Sequence, residues 1–333
     1  MARGGLDGEI ARLKHRDVRQ RRRAIRVLFD TDIPRALEGF VPLLKDKDPW
    51  FRSKALEAHR KWAPQQGVSS LKVLATHAWL DARRCAANLL GEFSEDTTEI
   101  ALLLIEDEDL TCSRKAAEAL LRGSEAERFA LQFKDNPDST IRRLAVLSKG
   151  ATLQHRKDAL GDLNNSVCEA ALQTIVEQGE YLSEAAMSDV LKRGLKVSSM
   201  ISSAVHNGSK VLVEIAEKVQ GRQLNELVKE LRIQCPDLES KAIQTLISNK
   251  QFSVLGRWMQ GKKGEQIDAM RWDIIRSDKV EVIERSRLLE RLIGRCGERE
   301  IAEQNRLFLE QCTNDLLRVT AENLSTASAE LGL

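Results

Sequence analysis

Arginine is the residue type whose spacing in this chain carries chemical meaning. Arg52, Arg83 and Arg142 occupy one slot of a recurring segment, and Arg84 and Arg143 directly follow two of them. Nearer the amino terminus, Arg19, Arg21, Arg22, Arg23 and Arg26 crowd a single short stretch. Guanidinium groups hold carboxylates and phosphates in a two-pronged geometry. A row of them therefore either braces neighbouring acidic turns or offers a basic stripe to phosphate or to an acidic partner, and the residues alone leave both open. Residues 1–62 carry sixteen Lys and Arg against nine Asp and Glu. A basic helix of this kind can engage nucleic acid or an acidic protein surface. It can equally be a solvated face, because Ala24, Ile25, Val27 and Leu28 form an intact apolar face beside it. The whole chain is nearly balanced at +2, which weighs against a domain built for nucleic acid throughout. Residues 92–110 hold eight acidic side chains and no Lys or Arg. Such segregation of charge suits a protein partner with complementary patches. Trp50, between Pro49 and Phe51, is a candidate anchor for that partner, since Trp and Arg dominate interface hot spots; packing between repeats is its plainer role.

The other reactive residue types do not assemble. The six cysteines (Cys85, Cys112, Cys168, Cys235, Cys296 and Cys312) show no short paired spacing, so neither a zinc site nor a disulfide framework is expected. The five histidines are dispersed and no Gly-rich phosphate loop occurs. Arg257-Trp258 and Arg271-Trp272-Asp273 place charges beside indoles, as a base-stacking cleft would, but a Trp in a helical core accounts for them as well. No cofactor, no metal and no catalytic constellation is expected.

The elements that must position these residues are helices. Of 333 residues, 42% are apolar, only 4% are aromatic and six are proline, while Ala, Leu, Glu, Lys and Arg, all good helix formers, dominate. An alanine recurs beside the arginine slot: Ala55, Ala86, Ala116, Ala145 and Ala171, at spacings of 31, 30, 29 and 26 residues. A near-constant period of this size marks a stacked array in which each helix pair buries its apolar face on its neighbours. Asp17, Asp48, Asp109 and Asp138 read as caps ahead of helices, with Asp81 in that role for the helix over 80–91 and Gly91 as its left-handed stop. Weaker repeats centre on Ala204 and Ala242. The chain then divides into a capping helix over 1–16, a repeat array over 17–250 and a C-terminal helical cap over 251–333. The cap covers the array's open end. Leu288, Leu289, Leu292 and Ile293 mark one of its helices. Ile301, Leu307, Phe308, Leu316, Leu317 and Leu324 mark a longer pattern, and residues from Ser325 onward are expected to fray.

The motif of an Asp, an apolar residue, an Arg and then Ala is clearest in Asp48/Phe51/Arg52/Ala55 and Asp138/Ile141/Arg142/Ala145. It resembles HEAT repeats and, with a period near 30, the short HEAT-like repeats of the phycobilisome-lyase type. Ala82/Arg83/Ala86/Ala87 followed by Leu89-Leu90-Gly91 also fits. The fourth repeat departs, with Cys112 and Ser113 at the apolar-Arg pair, and so does the sixth, with Val167 and Cys168. The resemblance covers roughly residues 17–250. It implies an all-α, right-handed α-solenoid of stacked antiparallel helix pairs and an Asp–Arg ladder bracing its turns. It does not single out a function, because HEAT-like proteins include scaffolds, adaptors, enzyme subunits and a few DNA-repair enzymes. The leading expectation is a non-enzymatic scaffold or adaptor that binds a protein partner along a concave face, through the arginines named above and Trp50. The alternatives are nucleic-acid binding through the N-terminal basic helix and arginine ridge, or a HEAT-like DNA glycosylase or lyase-type enzyme. The longest apolar run, residues 100–105, is too short to span a membrane, and the first residues have no signal-peptide core. A cytoplasmic protein with reduced thiols and no membrane partner is therefore expected.

Overall fold

The computed structural model describes residues 3–332; residues 1, 2 and 333 of the two expected terminal segments lie outside that range. Among the described residues the chain is α-helix joined by turns and short 3-10 segments, with no strand. It is an all-α solenoid and folds as two compact units, residues 1–174 and 175–333.

In the first unit, α1 (Arg3–Arg12) leads into α2 (Val18–Thr31), α3 (Leu37–Phe40) and α4 (Pro49–Gln66). Then follow α5 (Val68–Ala75), α6 (Leu80–Leu89), α7 (Thr98–Ile105), α8 (Leu110–Arg122), α9 (Ala126–Gln132), α10 (Ser139–Leu147) and α11 (Leu153–Ala159). The packing is that of a two-row stack: α4, α6, α8 and α10 touch in sequence as one row, and α5 packs on α7 in the other. All five slot alanines, Ala55, Ala86, Ala116, Ala145 and Ala171, are 0% exposed. A small side chain there lets successive helices of the first row approach closely, and a bulky one would cost about 1–3 kcal/mol by overpacking. Leu71, Leu74, Leu104 and Phe129 fill the space between the rows.

The opening repeat is irregular. Pro34 starts a 3-10 turn, and Pro42 sits in a second one over residues 41–45, so the partner of α2 is reduced to the single turn of α3. Proline lacks the N–H that a continuous helix needs at that position. Aromatic packing takes the place of the missing turns: the buried Trp62 stacks on Phe29 at 5.1 Å and meets Phe40 edge-on at 5.6 Å. Its indole N–H donates to Asp32 Oδ1 at 2.8 Å, and Asp32 itself closes α2 in the left-handed conformation at φ 49°.

Asp17, Asp48, Asp109 and Asp138 cap α2, α4, α8 and α10 with their side chains, as their spacing predicts. Asp81 does not cap α6. Trp79 stands at the cap, because His77 Nδ1 takes the Trp79 N–H at 3.0 Å and starts the helix one turn position earlier. Asp81 then falls in the first turn, where a carboxylate faces the positive end of the helix. Gly91 is not a left-handed stop either: α6 tightens into a 3-10 turn over residues 90–92, and the backbone stays right-handed.

α12 (Asn165–Glu177) crosses residue 174. The second unit continues with α13 (Glu184–Lys192), α14 (Ile201–Asn207), α15 (Lys210–Lys218), α16 (Gly221–Gln234), α17 (Lys241–Ser248) and α18 (Phe252–Trp258). It ends with α19 (Glu265–Arg276), α20 (Val282–Ile293), α21 (Arg299–Gln311) and α22 (Asp315–Glu330). Here α14, α16, α18, α20 and α22 touch in sequence. Ala204 and Ala242 are buried, and so are Leu288, Leu289 and Leu292. The pattern over 301–324 breaks into α21 and α22, because the Asn314 side chain accepts the Leu317 N–H and caps a new helix. Leu307 and Leu316 consequently point outward, 37% and 48% exposed. The expected fraying from Ser325 is absent through residue 330: α22 continues to Glu330, with Ser328 buried.

Candidate functional site

The recurring arginines meet the turns between repeats. In each of Arg52, Arg83 and Arg142 the Nη1 group donates back to two carbonyls five and six residues earlier. Arg52 reaches Asp46 O at 2.8 Å and Lys47 O at 3.1 Å. Arg83 reaches His77 O at 3.4 Å and Ala78 O at 3.1 Å, and Arg142 reaches Asn136 O at 2.7 Å and Pro137 O at 3.2 Å. The rest of the guanidinium then grips the next turn: Arg83 holds Asp107 at 2.7 and 3.3 Å, and Arg142 holds Asp162 at 2.7 and 3.0 Å. Arg21 belongs to the same row, since it donates to Leu13 O at 3.0 Å and pairs with Asp46. For Arg52 the forward position is His77 rather than an acid, and its guanidinium lies over the Trp79 ring at 5.3 Å instead.

A second row runs beside the first. Arg84 holds Asp109 at 3.1 and 2.8 Å, Arg114 holds Asp138 at 2.7 and 3.4 Å, and Arg22 approaches Asp48 at 3.7 Å. Arg143 follows Arg142 as Arg84 follows Arg83, but the position that corresponds to Asp109 is Asn164. Arg143 is exposed and has no ion pair among the described residues.

The electrostatics follow from these contacts. Burial would raise the Asp107 carboxyl, but the Arg83 guanidinium and the Asp109 N–H outweigh burial and hold it below the usual range. The same balance, with Arg21 and Arg114, lowers Asp46 and Asp138. Asp109 is held well below that range by Arg84. Beneath the rows, burial pushes the Cys112 thiol up to about 12, so it is inert as a nucleophile.

The N-terminal cluster behaves differently. Arg19, Arg23 and Arg26 are exposed on α2 and have no ion pair among the described residues. Beside them Trp50 is half-buried, its ring resting on the core and edge-on to Phe51 at 5.0 Å. The Arg22 guanidinium lies 5.0 Å from the Trp50 ring centre and the Lys54 ammonium 6.0 Å. The exposed surface of α2 thus carries three cations without an ion pair among the described residues, with Arg22 linking it to the half-buried Trp50.

No family model matches this chain, and no curated protein matches it. Among solved structures it is similar to a designed armadillo repeat protein at 13% identity, over 97% of this chain and 99% of that one, with a TM-score of 0.12. The fold therefore rests on the chain's own helices.

The indoles singled out as a stacking cleft are elsewhere. Trp258 is 0% exposed and donates to Cys235 O at 3.0 Å, and Trp272 is 2% exposed. The nearby carboxylate, Asp268, is closed off by a two-pronged contact from Arg295, at 2.8 and 2.8 Å, and by Arg271. Among the described residues no group of three or more His, Cys, Asp or Glu side chains could hold a metal ion, and no helix is long and apolar enough to cross a membrane.

Sequence reasoning missed Arg21 and Arg114 as members of the two rows. The signal was present: acids or amides two residues apart recur at 46/48, 107/109, 136/138 and 162/164, while the turn ahead of Arg52 has His77 and Trp79 at those positions instead.

Proposed function

We propose that this chain is a non-enzymatic, HEAT-like repeat scaffold that docks an acidic segment of a protein partner against the exposed face of α2 and the adjoining Trp50. The observation that supports this is a division among the arginines. Arg21, Arg52, Arg83, Arg84, Arg114 and Arg142 are committed to turns of the fold. Arg19, Arg23 and Arg26 are exposed and free of carboxylates among the described residues. An acidic segment supplies the missing charge, and an apolar residue within it covers Trp50, the arrangement expected of an interface anchored by Trp and Arg. A cation-flanked indole is also a platform on which a nucleic-acid base can stack, so the test must separate the two.

The test changes Arg19, Arg22, Arg23 and Arg26 together to Gln. Arg21 is left in place because it holds Asp46. A Glu-rich peptide with a central Leu and a single-stranded oligonucleotide of equal charge serve as probes. The peptide should associate with wild type at a rate that falls steeply with salt. The variant should lose most of that rate with little change in dissociation, as electrostatic steering requires. Tighter binding of the oligonucleotide, lost in the variant, would transfer the site to nucleic acid.

A further inference from the structure

The second unit contains a groove of about 610 Å³ between α16, α18 and α20. Five cations line it: Lys229 and Arg232 from α16, Arg257 from α18, and Arg287 and Arg291 from α20. The helical spacings of three and four residues bring each of the outer pairs to one face, and α16 and α20 both pack on α18. One carboxylate, Glu284, answers these five. It accepts from Arg257 at 3.2 Å and from Ser253 at 3.3 Å.

The other four cations have no carboxylate within ion-pair distance among the described residues. Arg232 donates to the carbonyls of Arg257 at 2.6 Å and Gln260 at 3.3 Å. Arg291 reaches the side-chain oxygen of Gln260 at 2.8 Å once that amide is turned toward it. Neutral oxygens orient a guanidinium but do not cancel its charge. Burial and the neighbouring Arg287, Arg232 and Arg257 push the Arg291 pKa down, and Glu290 offsets only a smaller part of that. Elsewhere the chain gives its crowded arginines acids, as Asp268 does for Arg271 and Arg295. Here four of the five cations face one another without an ion pair, an arrangement that an added anion would relieve. The remaining lining is apolar, with Val228, Ile233, Phe252 and Leu288 around the backbone of Gly256.

We propose that this groove binds an organic phosphate, with phosphoryl oxygens held among Arg232, Arg287 and Arg291 and an apolar or aromatic body lying over Phe252 and Leu288. A carboxylate brings one negative charge. A terminal phosphoryl group brings nearly two and three strong acceptors, which match converging guanidinium forks. The volume is that of a small-molecule site, and the apolar lining selects a carbon body over bare phosphate. This site is independent of the α2 surface.

Calorimetry on the full chain at fixed ionic strength tests it, with ADP, inorganic pyrophosphate, a Glu-rich decapeptide and a single-stranded DNA dodecamer as probes. ADP should bind more tightly than pyrophosphate. Arg287→Gln with Arg291→Gln should weaken ADP by about tenfold or more, since charge-assisted hydrogen bonds are lost. The same double variant without ligand should melt close to wild type, because the repulsion it removes offsets the lost contact of Arg291 with Gln260. Glu284→Gln should tighten ADP several-fold by removing the one opposing charge, a gain that a purely structural cluster would not give. Binding of ADP no tighter than about 1 mM, or equal in wild type and both variants, overturns the proposal. Pyrophosphate as tight as ADP overturns the organic body. The decapeptide or the DNA binding more tightly than ADP through Arg287 and Arg291 overturns the ligand class.

Discussion

Replacing Arg83 with Met separates an arginine that holds the fold from one that decorates it. The Arg83 side chain is 16% exposed and the Asp107 side chain 6% exposed. Met keeps the packing of the aliphatic stem and deletes the guanidinium. Asp107 is then left with only the Asp109 N–H, at 2.9 Å, and the carbonyls of His77 and Ala78 lose a donor. A hydrogen bond to a charged group contributes roughly 1.5–3 kcal/mol, and partial exposure places the loss near the lower half, about 2 kcal/mol. Cys112, 0% exposed in α8, lies beside this contact, and Cys85, 2% exposed, is buried in the helix α6 that carries Arg83; both react with a thiol reagent only when the repeat opens. Native-state labelling read by peptide mass should therefore quicken about thirtyfold at both, since each 1.4 kcal/mol is a factor of about ten. The half-buried Cys296 and Cys312 serve as internal controls. Arg84→Met is the comparison. Its side chain is 42% exposed, and screened pairs of that kind contribute little, so labelling should stay within about threefold of wild type. The penalty at Arg83 should also shrink in acid. Asp107 is depressed in the fold, so its contribution is complete above the unfolded value near 3.8 and is lost as pH falls toward the folded one. Equal acceleration in the two variants would refute the assignment of Arg83 to bracing.

Two further outcomes follow from buried positions. A Cβ on Gly150 would lie 2.3 Å from the carbonyl carbon of Ala126 and 2.4 Å from the Glu127 nitrogen. Those are backbone atoms that cannot swing away, so Gly150→Ala should cost about 3 kcal/mol. In a unit of this size that lowers the melting temperature by roughly 6–12 °C, and a variant melting within 2 °C of wild type would show that the turn between α10 and α11 approaches α9 less closely. Burial lowers the pKa values of His59, His77 and His155 below the ordinary 6.5. The unfolded chain then binds their protons first, so stability should be level above about pH 6.5 and fall over the interval below it. Urea midpoints across that interval report it, and His59→Leu should flatten the fall; a wild-type midpoint that does not move would count against neutral, buried imidazoles.

The two arginine populations differ in what neutralises them. In the turns of the first unit, a guanidinium that meets carbonyls behind it and a carboxylate ahead of it ties three segments together. On α2 and in the groove between α16, α18 and α20, the same side chain lacks its acid. Arg143, which follows Arg142 on α10, is exposed and has no ion pair among the described residues.

The amino-acid sequence by itself determined the helical repeat. The alanine period and the capping Asp17, Asp48, Asp109 and Asp138 are signals between residues a few positions apart, and helix formation and capping act over that range. The buried slot alanines carried the same information, because a residue that must be small repeats wherever the same close approach repeats. The tertiary structure alone decided which cations are neutralised. Arg83 finds Asp107 and Arg142 finds Asp162 across 24 and 20 residues, and those separations depend on how one repeat registers on the next. Trp79 rather than Asp81 stands at the cap of α6 for the same reason: the turn in which His77 accepts the Trp79 N–H sets where the helix begins. The groove in the second unit was illegible in sequence, since Lys229 and Arg291 are brought together only when α16 and α20 pack on α18. A run of charges states how many cations a surface holds. Only the packed helices fix how far each lies from an acid, and that distance separates a brace from a binding site.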